Sequence, residues 1–330
     1  MTPIQRSLMV YYLLEFAQFY ATVRFVSPLL AWAFKPPVFP RYSPDFCAQN
    51  QNECGVIPEG ISTFPWLVQV VMAGTYYGFP IPPSPCGGSF ISNQYVITAA
   101  HCVWPGVSTY IKYNGNSYEA EVVAYSPSYD PAQEYLLSRK PDLAILRLKT
   151  VPSGCVIPIC LPNVNDLIMN DNLTLASFRG GYYEKNISVI DGKTCYEKYH
   201  KNYDALNLTE CDEDPKGNFG LQSLLEYRMR RVLQIILKPF KLFQPTPTPE
   251  EIEGFYKVEE ADELNFNFLC SGSAVTFGDS GSPLMRKNDE NMWSLTAVAR
   301  AFHYRENCLI IDDYQTIFPQ LSWVLETVNK

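Results

Sequence analysis

From residue 64 to residue 148 the chain is a succession of short β-rich runs broken by turn residues, a pattern few folds accept. Residues 65–72 (PWLVQVVM), 89–91, 95–98, 108–113, 119–124 and 143–148 read as strands, with Pro80 to Pro85 marking a loop before Cys86. Runs of this length at this spacing are typical of an all-β barrel. Apolar residues make up 47% of the 330 and charged residues only 18%, which is enough to bury a large core and unlike a disordered chain. A net charge of −8 argues against nucleic-acid binding, which needs clustered Lys and Arg.

Three short motifs carry chemistry. Ala274-Val-Thr-Phe-Gly-Asp-Ser-Gly-Ser-Pro283 contains a Gly-Asp-Ser-Gly turn around Ser280. Such a turn sets a serine hydroxyl beside backbone N–H groups, a nucleophile next to donors for the oxyanion it creates. A serine is a poor nucleophile at neutral pH and needs a base within hydrogen-bond reach. His101 stands at the end of Tyr95-Val-Ile-Thr-Ala-Ala-His-Cys102, behind Cys86-Gly-Gly-Ser-Phe-Ile-Ser92, and Asp142 opens Asp142-Leu-Ala-Ile-Leu-Arg-Leu148. Taken singly, each has a plainer reading: a core histidine, a strand-start cap and a turn serine.

Together, in this order, the motifs resemble those of the chymotrypsin/trypsin-like serine endopeptidases: T-A-A-H-C at the end of a strand, D-(I/L)-A-L-L-(R/K)-L, then G-D-S-G-G-P. The resemblance runs from about Gly55 to the C-terminus. It implies an all-β fold of two antiparallel six-stranded Greek-key barrels with a C-terminal helix, which takes about 220–250 residues. It also implies a triad in which His101 is the general base, Asp142 orients and stabilises the imidazole, and Ser280 attacks. The N–H groups of Gly278 and Ser280 would form the oxyanion hole, and Asp279 would pair with a new N-terminus after activation. Cys86 would bond to Cys102 and Cys160 to Cys47 or Cys54, with Cys155 available to the other. Substrates would be proteins or peptides, partners a protein inhibitor or activator, and no cofactor or metal is expected. The rival reading is a protease-like binding protein without activity.

The chain departs from the family at several points. No Arg/Lys-Ile-Val-Gly-Gly site precedes the barrel, which instead follows Asn52-Glu-Cys-Gly-Val-Ile-Pro-Glu-Gly60. Cleavage before Val56 or Ile57 would need an activator of non-tryptic preference. Ala274 stands where trypsins carry a specificity aspartate, Thr276 replaces a cysteine, and Ala299-Arg-Ala-Phe302 replaces S-W-G. Arg300 or Phe302 is expected to narrow the cleft. Asp312 has two readings, a solvent-facing acid or the pocket floor that favours Lys or Arg.

The stretch between Asp142 and Ser280 is longer than the family needs, which places an insertion at about 182–265. Within it, residues 221–243 read as a helix on the barrel, as a displaced strand at 232–238, or as a basic docking surface. Domain 56–330 follows a Pro-rich tether at 34–55. Residues 1–33 read as a signal peptide ending in the small-x-small pattern at Ala33, with a signal anchor as the alternative. No later run reaches the ~20 apolar residues of a membrane span, so a membrane enters only if that segment is retained. Ten cysteines without a C-x-x-C pair suit disulfides in an oxidising compartment, not zinc. Sequons at Asn172, Asn186 and Asn207 are expected on a glycosylated surface loop. The expectation is a secreted, extracellular protein.

Overall fold

The computed structural model describes residues 53–76, 79–80, 85–127, 129, 141–153, 156–162, 172–178, 181–195, 268–272, 275, 278–305 and 308–329. The expected leader, the tether up to residue 52, most of the insertion, Cys155, Asn207 and Ala274 lie outside these residues.

Six strands close a barrel. In spatial order they are β1 (Leu67–Ala73), β4 (Cys86–Phe90), β5 (Tyr95–Thr98), β8 (Ala144–Leu148), β7 (Asn116–Tyr125) and β6 (Ser108–Tyr113). All pairings are antiparallel. β6 shows why these residues form a strand: buried Thr109, Ile111 and Tyr113 alternate with more exposed neighbours, the period that lets one face fill the barrel. Asn114 and Gly115 turn β6 into β7 with φ of +50° and +74°, the left-handed pair a tight hairpin requires. A two-stranded ribbon, β2 (Thr75–Tyr76) and β3 (Phe79–Pro80), stands apart from the barrel.

The second half is a curled seven-stranded sheet. Its order is β10 (Tyr183–Ser188), β9 (Asn172–Ser177), β13 (Pro283–Lys287), β14 (Trp293–Arg305), β15 (Cys308–Thr316), β12 (Phe268–Ser271) and β11 (Ile190–Asp191). The closed barrel and the curled second sheet match the expected trypsin-like fold, and among the described residues no pairing joins β10 to β11. β11 offers only two residues to a partner, and β10 carries exposed Glu184, Lys185 and Asn186, a polar edge that resists further pairing. A four-residue helix, α1 (Gly192–Cys195), follows β11, and the expected C-terminal helix, α2, spans Leu321–Val328.

One apolar cluster crosses from the barrel into the sheet. Trp66, Phe90, Ile97 and Leu146 share it with Met285, Leu295 and Val298 and with Val324 of α2, all essentially without solvent contact. The indole N–H of Trp66 donates to Met285 Sδ at 3.0 Å. A smaller cluster, built on Leu175, Leu284 and Tyr314, belongs to the sheet alone. The crossover strand is tied to both halves, since Ile159 N–H donates to Phe90 O and Leu295 N–H to Cys160 O, each at 2.9 Å. Cys54 bonds to Cys160, selecting between the two cysteines expected there.

Candidate active site

The first element of the candidate site is a 3-10 turn, Ala100–Cys102, which ends the run begun by β5. Cys102 is buried and bonded to Cys86 of β4, which fixes the turn against the barrel. His101 is thereby held at the surface, with its side chain 27% exposed. Its Nδ1 lies 2.7 Å from Asp142 Oδ2, and its backbone N–H donates to Asp142 Oδ1 at 3.0 Å. In the neutral ring, an Nδ1–H donated to the carboxylate leaves Nε2 with its lone pair.

Asp142 immediately precedes the barrel strand β8 and is almost fully buried. Burial pushes its carboxyl up, but the charge and hydrogen bonds of His101, then the charge of Arg300, hold it below its ordinary range. Its backbone is equally constrained. The Asp142 N–H donates to Gln315 Oε1 at 3.2 Å, and Ala100 N–H donates to Asp142 O at 3.2 Å. Ser126 Oγ donates to Pro141 O at 2.5 Å and accepts from Leu143 N–H at 3.3 Å. Gln315 and Ser126 escaped the sequence reading. The one available signal for Gln315 was an amide placed beside Tyr314 in a strand that also carries Asp312 and Asp313.

Ser280 sits in the turn before β13. Gly87 N–H donates to Ser280 O at 2.7 Å, and Thr98 Oγ1 donates to Gly87 O at the same distance. Gly87 therefore clasps Ser280 from the strand whose neighbour Cys86 is bonded beside His101. Gly278 and Gly281 flank the serine with φ of +95° and +81°. The N–H groups of Gly278 and Ser280 donate to no backbone carbonyl among the described residues. Asp279 is fully buried. The Ser280 hydroxyl makes no hydrogen bond to His101 among the described residues; His101 Nε2 lies 3.8 Å from Cys102 Sγ. Cys86, His101 and Cys102 offer ligand atoms within 4.8 Å of one another, but both sulfurs are spent in the disulfide and give a metal no thiolate.

Three of the candidate specificity residues lie on β14 and β15. Arg300 is buried, with Nε 3.8 Å from Asp142 Oδ2 and the guanidinium carbon 5.0 Å from the Phe268 ring centroid. Asp312 is no solvent-facing acid but fully buried, accepting from Val275 N–H at 2.9 Å. Phe302 lies on β14, paired with Asp312 across the strands. Asn172 and Asn186 stand in paired strands, not in a loop, and Asn186 Oδ1 accepts from Thr174 Oγ1 at 2.9 Å. Cys270 is in a disulfide as well.

A closed antiparallel barrel joined to a curled sheet, with His101 on Asp142 and a Gly-Asp-Ser-Gly turn clasped to the barrel, defines a serine-protease scaffold. The chain is similar to the trypsin-like serine protease family: the family model for trypsin matches residues 57–210. It is 26% identical over 189 residues to a tryptase of Mus musculus, covering 48% of this chain and 65% of that protein. It is 32% identical over 185 residues to the venom serine protease Bi-VSP of Bombus ignitus (46% and 48%). For the CLIP domain-containing serine protease B4 of Anopheles gambiae the figures are 25% over 191 residues (46% and 51%). The chain thus spans between about half and two thirds of the length of these relatives. A solved structure of HL collagenase superposes with a TM-score of 0.49 at 17% identity, covering 81% of this chain and 94% of the other. No helix among the described residues is long and apolar enough to cross a membrane.

Proposed function

We propose that the chain is a secreted serine endopeptidase that hydrolyses peptide bonds through an acyl-enzyme on Ser280. The observation that carries this reading is the 2.7 Å contact between His101 Nδ1 and Asp142 Oδ2, beside a serine turn clasped by Gly87. In the proposed reaction His101 Nε2 takes the Ser280 proton as the hydroxyl attacks the carbonyl carbon. The oxyanion is met by the N–H groups of Gly278 and Ser280, and the proton then passes to the leaving amine. Water, activated by the same imidazole, releases the acyl group.

The hydroxyl must first reach Nε2. Hydrogen bonds of this kind are often long in a free enzyme and tighten when substrate binds. Asp312, buried under Val275, supports a preference for Lys or Arg before the scissile bond, because a buried carboxylate rewards a cation that reaches it. The polar edge on which Asn186 is exposed, together with the disulfides, supports passage through an oxidising, glycosylating compartment.

The experiment is incubation of the secreted full chain, and any form processed before Val56 or Ile57, with a fluorophosphonate probe. Labelling of the protein but not of Ser280→Ala is expected. Labelling that survives the substitution would refute the assignment. A protein that no processing makes reactive would favour the second reading, a protease-like binding protein, which the missing Ser280–His101 hydrogen bond supports. Fluorogenic peptides ending in Arg or Lys should outpace those ending in Leu, and Asp312→Asn should remove the difference.

A further inference from the structure

We propose that Arg300 is a positioning residue that shares the Asp142 carboxylate with His101 and so governs how firmly the imidazole holds a second proton. This rests on the reading of His101 as the general base. β14 and β15 slip register between Ala299 and Ala301, so Arg300 stands at a bulge, the kind of irregularity that re-aims a side chain. The guanidinium is turned into the interior, where it is 7% exposed, and its Nε lies 3.8 Å from Asp142 Oδ2. That is the same oxygen that meets His101 Nδ1 at 2.7 Å. Both Arg300 and Asp142 are shielded from water, so their charges are weakly screened. The guanidinium carbon lies 5.0 Å from the Phe268 ring centroid, a cation–π contact for which arginine is the commoner partner.

A guanidinium keeps its charge throughout the working range of a protein. Asp142 is therefore divided between a permanent cation and one that comes and goes. An imidazole facing an unshared carboxylate is favoured in its charged form. A fixed cation on the same oxygen withdraws part of that attraction and repels the imidazolium directly.

The other groups around the pair do not take over this role. Gln315 on β15 is uncharged, and the Cys86–Cys102 disulfide does not titrate. Tyr125 is pushed up to about 12 by burial, and Tyr314 on β15 well above its ordinary value, by burial and then the charge of Asp312; both stay neutral. The further acids of this interior are Asp279 and Asp312, which Arg300→Gln leaves in place.

The test is an NMR titration of the full chain labelled in its histidines, of which there are three; His101 is identified by the signal lost in His101→Gln. In Arg300→Gln the His101 titration midpoint should rise by about one pH unit, and in Arg300→Lys it should stay within a few tenths of the native value. A folded Arg300→Gln protein with an unmoved midpoint overturns the proposal. So does Arg300→Lys moving as far as Arg300→Gln, since shape and not charge would then be responsible. If Arg300→Gln does not fold, the native protein is read instead. Its Arg300 Nε–H resonance should shift with the His101 midpoint, and a resonance indifferent to that titration overturns the proposal. The titration needs no turnover, so an unreactive Ser280 would sink the endopeptidase reading while leaving this measurement to stand or fall alone.

Discussion

Asp142 bears three partners at once: a histidine ring, an arginine and the backbone of the turn that carries the histidine. Replacing it with Asn keeps the shape and removes the anion, leaving Arg300 buried beside an amide. Loss of one partner from such a buried pair costs about 3 kcal/mol, the low end of the usual range because His101 is partly exposed. The deficit depends on pH with a definite sign. The Asp142 carboxyl is held below its ordinary value in the folded protein, so its contribution is complete above that ordinary value and is lost as pH falls through the folded one. Melting temperatures of the native protein and Asp142→Asn should therefore differ most near neutrality, and the gap should begin to close only as pH falls below about 4. A gap that is constant from pH 7 to pH 2 would show that the carboxylate charge contributes nothing.

The strand β4 and the serine turn make contact through glycines, and the fit leaves no room for a methyl group. A Cβ on Gly281 would sit 2.2 Å from Gly87 O and 2.3 Å from Thr98 Oγ1, at a φ of +81°. Gly281→Ala must therefore push the turn off the barrel. The left-handed backbone alone costs roughly 1–3 kcal/mol in a residue with a side chain. The expected result is a lower melting temperature and loss of fluorophosphonate labelling together; undiminished labelling at the native rate would show that the clasp does not position Ser280. Much of this element was legible in the sequence. Residues 95–98 and 108–113 were read as strands with the bounds β5 and β6 have, because alternation is a local signal. The second sheet was less legible. The bulge that turns Arg300 toward Asp142 arises from pairing with β15 and leaves no mark in Ala299-Arg-Ala-Phe302. The sequons misled for a related reason: an Asn-x-Thr can lie on the exposed edge of a sheet as well as in a loop, and nothing local separates the two.

At the scale of the molecule, the barrel and the sheet share one interior. Leu295, without solvent contact on β14, packs in the cluster that holds Trp66 and Phe90 of the first half and Val324 of α2. The Cys54–Cys160 bond and the hydrogen bonds of the crossover strand fasten the same seam. A cavity there should weaken both halves, not only the one mutated. Leu295→Ala is expected to cost about 2–5 kcal/mol, which in a chain of this size lowers the melting temperature by roughly 5–15 °C. Hydrogen exchange distinguishes shared from separate stability, because the slowest amides of a cooperative unit open only with the whole. Peptides covering β1 and β5 should lose protection by the same factor as those covering β9 and β13. If only the second-sheet peptides lose protection, the halves are independent units, and the distance from Asp142 to Ser280 is set by the clasp of Gly87 and the crossover strand, not by a common core.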